Sequence, residues 1–132
     1  MDILDINPHE IPEIREIPEG KYSGNVVDYV IKENMNGTQY VQFSFRVNEA
    51  LSGQDMTGVE TNLRVFSKRI FLTDKSKRLA AKELSKFGVP MSDSFRTWIE
   101  AVPGTAVTFD VAIEKSKTSS REFRTVVDWQ AA

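Results

Sequence analysis

The residues of this chain that could do chemistry are aromatic rings and cations that alternate along predicted strands. In the third predicted strand, Leu63 and Val65 share one parity and form its core face. Arg64, Phe66 and Lys68 occupy the other parity and are expected to point outward. An exposed ring can stack a base at on the order of 1–3 kcal/mol, and adjacent cations neutralise phosphates. The pattern therefore predicts a surface for single-stranded nucleic acid.

A second predicted strand, Tyr40–Asn48, is expected to widen this surface. Its apolar residues alternate strictly with polar ones, so one face is core and the other is wet. The outward set is Tyr40, Gln42, Ser44 and Arg46. Tyr40 is a candidate second stacking ring and Arg46 a candidate phosphate contact. A structural interpretation stays open for both rings, since Tyr40 could be a cross-strand partner and Phe66 could pack beneath a loop.

A polar, basic segment between the last two predicted strands supplies further candidate phosphate contacts. Lys115, Lys117 and Arg121 lie in this predicted hairpin loop. In a five-stranded OB fold the loops that join strands 1–2 and 4–5 flank the strands that bind oligonucleotides. We therefore expect residues 32–39 and 115–121 to border the surface.

The charge of the chain is unevenly distributed. The net charge is −2, which by itself argues against a nucleic-acid partner. Residues 1–20, however, hold six acidic residues and one basic residue, whereas residues 64–86 hold eight basic and two acidic residues. The local distribution matters more than the sum when the partner is a polyanion.

The predicted elements follow the order β-β-β-α-α-β-β. A bulge is expected near Ser67–Arg69, because the apolar residues of the third strand change parity there. The last strand is expected to place four residues on one face: Phe123, Thr125, Val127 and Trp129. Trp98 and Trp129 are expected in the core. The strands are Tyr22–Glu33, Tyr40–Asn48, Asn62–Leu72, Ala106–Glu114 and Phe123–Trp129, and the helices run from Lys75 to Phe87, capped by Thr73 or Asp74, and from Ser92 or Asp93 to Val102.

This order predicts a mainly β domain, a five-stranded OB-fold barrel with a helical insertion between its third and fourth strands. Residues 1–18 are predicted to be an acidic extended N-terminal arm, because repeated prolines exclude a long helix there. Residues 19–132 are predicted to be the single-stranded DNA-binding OB-fold domain.

The composition gives little support for catalysis. The chain has one histidine, His9, and no cysteine, so we expect neither a metal site nor a cofactor, and we predict that the protein is not an enzyme. The carboxylates of Asp28, Asp110 and Asp128 would bind Mg²⁺ only if they converged. The absence of cysteine, of a long apolar stretch and of a signal-peptide pattern favours a cytoplasmic protein.

Two short blocks of the sequence support a resemblance to a known family. The pattern Pro18-Glu19-Gly20-Lys21-Tyr22 before a long first strand, and the block from Asn36-Gly37 to Val47, resemble bacteriophage single-stranded DNA-binding proteins over roughly residues 17–129. The resemblance implies an OB fold and sequence-tolerant binding and protection of single-stranded DNA in phage DNA replication, recombination or repair. It also implies the host cell cytoplasm and replication or recombination proteins as partners.

Two alternatives stay open. The chain could be a small β-barrel protein–protein adaptor that uses the isoleucine-rich arm or the predicted loop at 49–61 and binds no nucleic acid. RNA is a variant of the nucleic-acid hypothesis, because nothing in the sequence reads a 2′-hydroxyl.

The local negative charge of the N-terminal arm suggests a role for this segment. The arm is expected to shield the basic surface of the domain until DNA displaces it.

Overall fold

The computed structural model describes residues 3–10, 15–116 and 121–132, and within them the chain is mainly β. Two 3₁₀ turns at Ile3–Asp5 and Pro8–Glu10 precede the first strand. The remaining elements are β1 (Gly20–Glu33), β2 (Gln39–Ala50), β3 (Arg64–Phe66), β4 (Ile70–Phe71), α1 (Lys77–Ser85), α2 (Phe95–Glu100), β5 (Ala106–Lys115) and β6 (Glu122–Ala131).

The strands form one antiparallel sheet in the order β3-β2-β1-β5-β6, with β4 paired to β2. The long strand β1 pairs with β2 along most of its length and with β5 through Gly20–Asn25. Apolar residues on both parities allow β1 to serve both neighbours. The mainly β class is confirmed.

The ladders do not close this sheet into a barrel. An isolated parallel bridge joins Ser67, after β3, to Val126 in β6, and the Lys68 amide donates to the Val126 carbonyl at 3.0 Å. The end of β3 and the residues that follow it therefore lie beside β6.

The predicted third strand is interrupted where the bulge was expected. Ser67 is fully buried, and its hydroxyl accepts from the Phe43 amide at 3.0 Å and donates to the Lys68 carbonyl at 2.8 Å. The side chain thus takes a place in the ladder that a backbone group would otherwise fill. This separates β3 from β4 and turns the chain between them.

Both helices are shorter than predicted. Ser76, not Thr73 or Asp74, is the N-cap residue of α1, and Ser94 caps α2 by accepting from the Thr97 amide at 3.1 Å. Leu79 of α1 is 60% exposed, because the buried face of this helix consists of Ala80, Glu83 and Leu84.

The core is an aromatic cluster beneath the sheet. The Phe45 and Phe109 rings lie 5.1 Å apart, and Phe87 stacks on Trp129 at 5.1 Å. The Trp129 Nε1 donates to the Glu83 carbonyl at 3.0 Å, which joins β6 to α1. Trp98 is also buried, so the core prediction for both tryptophans is confirmed.

A bulge in β6 changes which side chains face this core. Asp110 pairs with Asp128 but Val111 pairs with Val126, so Val127 is an extra residue in the ladder. Val126, directly before the extra residue, and Trp129, two residues after it, consequently point to the same side and are both buried. The prediction that Phe123 shares a face with Trp129 is wrong, because the extra residue reverses the parity between them.

The residues just before β1 pack against the body of the sheet, and we call Arg15–Pro18 the strap. Ile17 is 2% exposed, the Arg15 amide donates to the Gly58 carbonyl at 2.9 Å, and the Tyr22 hydroxyl donates to the Pro18 carbonyl at 2.6 Å. Burial raises the pKa of that hydroxyl. The strap therefore belongs to the folded body.

Candidate nucleic-acid interface

Two adjoining cavities lie between β3 and β6, and we call them together the groove. The strap-side cavity has a volume of about 410 Å³ and is bordered by the strap, β3 and the start of β6. The β4-side cavity has a volume of about 540 Å³ and extends towards β4. Phe66, Phe123 and Arg124 line both, so these three side chains form the shared wall.

Phenylalanine rings are exposed along the groove. Phe66 is 55% exposed and Phe123 47%, and Phe71 in the β4-side cavity is 39% exposed. The outward direction predicted for Phe66 is confirmed. Phe71 and Phe123 were missed, since an alternating apolar residue looks like core until the interruption at Ser67 and the bulge in β6 are known.

Six basic and four acidic residues line the same groove. With Arg15 of the strap, which forms an ion pair with Asp55, the basic residues of the lining number six, and the other five are Arg64, Lys68, Arg69, Arg121 and Arg124. Arg64 is exposed, and within the described part of the chain it has no ion pair. Lys68 has two partners within the protein: its ammonium lies 3.6 Å from the Glu83 carboxylate and 5.6 Å from the centre of the Trp129 ring.

Tyr40 does not offer a stacking face. It is only 5% exposed, because the Arg69 guanidinium lies 4.5 Å from the centre of its ring and Phe71 packs against it at 6.1 Å. β4 pairs with β2 at this point, with Phe71 opposite Tyr40. The prediction that Tyr40 points to solvent is wrong, and its structural interpretation is the one observed.

The rest of the predicted β2 surface is also partly covered. Ser44 lies opposite Phe66 and is buried. The side-chain amide of Gln42 donates through Nε2 to the Ser67 carbonyl at 2.9 Å. Arg46 is half-buried and lies opposite Arg64, while its Nε is buried without a hydrogen-bond partner among the described residues. Two like charges opposite each other on neighbouring strands are unfavourable unless an anion lies between them.

The loop between β5 and β6 brings one of its cations to the groove. Arg121 lines the strap-side cavity, and its carbonyl accepts from the Ser116 amide at 3.0 Å. Lys115, at the end of β5, is exposed but is not part of the lining of either cavity. Lys117 lies outside the described residues.

The predicted site residues thus separate into two groups. Arg64, Phe66, Lys68 and Arg121 come together in the groove. Tyr40, Arg46 and Lys115 lie outside its lining. Arg69 and Arg124 were not predicted, although Arg69 stands in the same basic segment and offers that much sequence signal.

A network of charges supports the groove from the α1 side. The Lys86 ammonium lies 3.3 Å from Glu83 and 2.9 Å from Asp128, and Glu83 is 5% exposed. The hydrogen bond from Lys86 lowers the pKa of Asp128, and the same bond raises the pKa of Lys86. Lys68 joins this network through Glu83, which fixes the ammonium at the edge of the groove.

Other kinds of site have less support. Within residues 3–10, 15–116 and 121–132, no three histidine or carboxylate side chains are close enough together to hold a metal ion. The helices in those ranges are too short or too polar for any of them to cross a membrane.

Comparison with known proteins adds no family to this description. No protein-family model matches the chain, and no curated protein matches it.

Proposed function

We propose that the groove binds single-stranded nucleic acid, DNA in the first place, without sequence selectivity. The observation that carries the proposal is the pair of exposed rings, Phe66 and Phe123, in the wall shared by two cavities that basic side chains surround. Half-exposed rings on strands cost free energy in water and gain it when a base covers them. A duplex buries its base faces, so the natural ligand for such rings is an unpaired strand.

The proposed mechanism needs no chemical step. Bases stack on Phe66 and Phe123, and the phosphates that join them contact Arg64, Arg121 and the remaining groove cations. A phosphate beside Arg64 would also relieve its repulsion with Arg46 across the strand pair. Because stacking and phosphate contacts read no base edge, binding is sequence-tolerant.

We further propose that the sheet is the wall of an OB-fold barrel. The support is the connectivity: β3 and β4 together act as a third strand, two helices follow, and the bridge from Ser67 to Val126 brings the outer strands β3 and β6 into contact. In an OB fold the face of strands 2 and 3 binds oligonucleotides, and Arg64 and Phe66 of the groove lie on the third strand. Together with the resemblance to phage proteins, this favours protection of DNA strands in phage replication, recombination or repair as the biological role.

The replacement of Phe66 by alanine tests the stacking proposal. We expect Phe66→Ala to weaken binding of a fluorescent oligo-dT by about 1–3 kcal/mol, measured by anisotropy. Its melting temperature should change little, because more than half of the side chain is already exposed. Phe123→Ala should give a loss of similar size.

A matched control is Phe95→Ala. Phe95 is also a surface phenylalanine, 36% exposed, but it lies on α2 beside Trp98 and lines a different cavity. Affinity for oligo-dT should be unchanged in this variant. Equal losses in the Phe66 and Phe95 variants, or no loss in either, would show that the groove rings do not stack bases.

The rival proposal is a protein–protein adaptor without nucleic-acid binding. The two segments that it would use contact each other, because Arg15 in the strap forms a parallel bridge with Val59 and an ion pair with Asp55 in the long β2–β3 connection. An adaptor would show no oligonucleotide binding at any salt concentration.

The choice between DNA and RNA needs a second ligand. The anisotropy titration, repeated with an RNA oligonucleotide of the same length as the oligo-dT, compares the two affinities.

A further inference from the structure

The side chain of Arg124 lies at the wall shared by the two cavities and already holds an anion of its own chain. Its Nη1 forms an ion pair with the Glu16 carboxylate of the strap and a longer one, 3.6 Å, with Glu122. Its Nε donates to the Ile17 carbonyl at 3.2 Å. The guanidinium is therefore fixed at a defined place in the groove, with a carboxylate bound to it.

We propose that Arg124 is a phosphate-binding residue of the groove. When no ligand is bound, the Glu16 carboxylate occupies the place of that phosphate. The inference rests on the proposed function and adds a specific site and a competitor to it. A carboxylate and a phosphate accept from a guanidinium with the same geometry. The Glu16 carboxylate thus stands in for a phosphate of the strand.

The environment of Arg124 suits it to this role. The side chain is 20% exposed, so water solvates its positive charge only partly. A nearby anion is therefore needed to stabilise that charge. A guanidinium remains protonated at any ordinary pH. Removal of Glu16 without replacement would leave that charge undercompensated, and the incoming phosphate restores the balance.

Glu16 is able to leave without disturbing the fold. Its side chain is 68% exposed, so water solvates the released carboxylate. The backbone on both sides is held independently, by the buried Ile17 side chain and by the hydrogen bond from the Arg15 amide to Gly58. Only the Glu16 side chain has to rotate, and the strap stays in place.

The competition sets a threshold for ligands. A small anion must displace Glu16 with a single contact, whereas a nucleic-acid strand contacts several cations and two rings at once. The strand therefore gains from contacts that a mononucleotide lacks. The ion pair between Arg124 and Glu16 would therefore select against mononucleotides and in favour of nucleic-acid strands.

The test compares two isosteric variants in the same cavity. We expect Glu16→Gln to bind oligo-dT about twofold to fivefold more tightly than the wild type at low salt, with the difference shrinking as salt is added. Glu60→Gln is the matched control. Glu60 is an exposed carboxylate that lines the same cavity, and within the described residues it has no ion pair with Arg124. The control should change affinity much less.

Two further measurements connect the effect to Arg124. On an Arg124→Gln background, the Glu16→Gln change should have no effect on affinity. In the wild type, the ¹⁵N resonance of the Arg124 Nε–H should shift when oligo-dT is added, and this readout does not depend on a variant that must fold.

The outcomes separate this inference from the proposed function. Equal affinities of the Glu16 and Glu60 variants, or an Arg124 resonance that does not move while oligo-dT binds, overturn the role of Arg124 and Glu16 alone. In that case the loss in Phe66→Ala would still support the groove. Absence of oligonucleotide binding by both the wild type and Glu16→Gln overturns the proposed function and this inference with it.

Discussion

At the scale of single residues, Lys68 connects the groove to the interior. Its ammonium faces the buried Glu83 carboxylate and the Trp129 ring, and Lys86 shares Glu83 and adds Asp128. A buried carboxylate is tolerated only when cations compensate for its desolvation. The network therefore restrains Lys68, which would limit the entropy that this side chain loses in the proposed contact with a phosphate.

The pKa of Asp128 makes the outer pair of this network testable by pH. Lys86 lowers the pKa of Asp128, so the pair stabilises the folded state at neutral pH, and this contribution is lost as the pH falls through that lowered pKa. We expect Asp128→Asn to lower the free energy of unfolding at pH 7 by less than about 1 kcal/mol, because the side chain is half exposed.

Chemical denaturation at several pH values measures this difference. The wild type and Asp128→Asn should converge as the pH falls through the lowered pKa of Asp128, because the carboxyl group then becomes neutral like the amide. Asp93→Asn is the control, since Asp93 is exposed and has no ion pair within the described part of the chain. A difference for Asp128→Asn that persists unchanged at low pH would show that the charge of Asp128 is not its cause.

At the scale of elements, irregularities in the strands build the groove. The interruption at Ser67 separates β3 from β4, and the bulge at Val127 turns Phe123 outward while Trp129 stays in the core. Without that extra residue, Phe123 and Trp129 would share a face. The exposed wall of the groove thus depends on a departure from regular pairing.

A third irregularity, in β1, depends on a glycine. The register of β1 against β2 shifts between Ser23 and Gly24. A Cβ at Gly24 would lie 1.8 Å from the Arg46 carbonyl oxygen and 2.9 Å from the Phe109 ring. We expect Gly24→Ala to destabilise the fold by about 3 kcal/mol or more, since backbone must move to relieve the overlap.

Thermal or denaturant unfolding tests the prediction for Gly24. Gly37→Ala serves as the control because nothing lies within 4 Å of its Cβ position, although its φ is +76°. That variant should lose only the roughly 1–2 kcal/mol of a left-handed residue. If Gly24→Ala were no worse than Gly37→Ala, the close approach of β1 and β2 would not constrain this position.

At the scale of the whole molecule, opposite charges are separated. The chain carries a net charge of −2, yet the groove lining contains six basic and four acidic residues. Three of the basic residues, Arg15, Lys68 and Arg124, have carboxylate partners. The groove lining therefore has a positive formal charge, whereas the molecule as a whole is negative. Binding through such a groove should depend strongly on salt.

The salt dependence of oligo-dT binding measures this effect. Each phosphate contact to a single strand contributes about −0.7 to the slope of log K against log salt concentration. Contacts by three to five groove cations predict a slope between about −2 and −3.5. Arg64→Gln should reduce the magnitude of the slope by about 0.7, whereas Arg96→Gln, an exposed position on α2 outside the groove lining, should not. A slope near zero would contradict phosphate binding in the groove.

The sequence by itself determined the order of the elements and much of the core. Alternation along β2 and the apolar pattern of β5 depend on neighbours one or two residues away, so they predict strands that the structure contains. Turn residues such as Asn36-Gly37 mark the ends of these strands for the same local reason. The outward direction of Phe66 followed from the parity set by Val65, which is its immediate neighbour.

Only the tertiary structure decided which exposed residues meet. Tyr40 is covered because β4 returns to pair with β2, and Phe123 is exposed because of a bulge whose register is set by β5. Arg124 meets Glu16 across a sequence separation of 108 residues. Such contacts depend on strand register and chain return, and the residue types along one segment do not encode them.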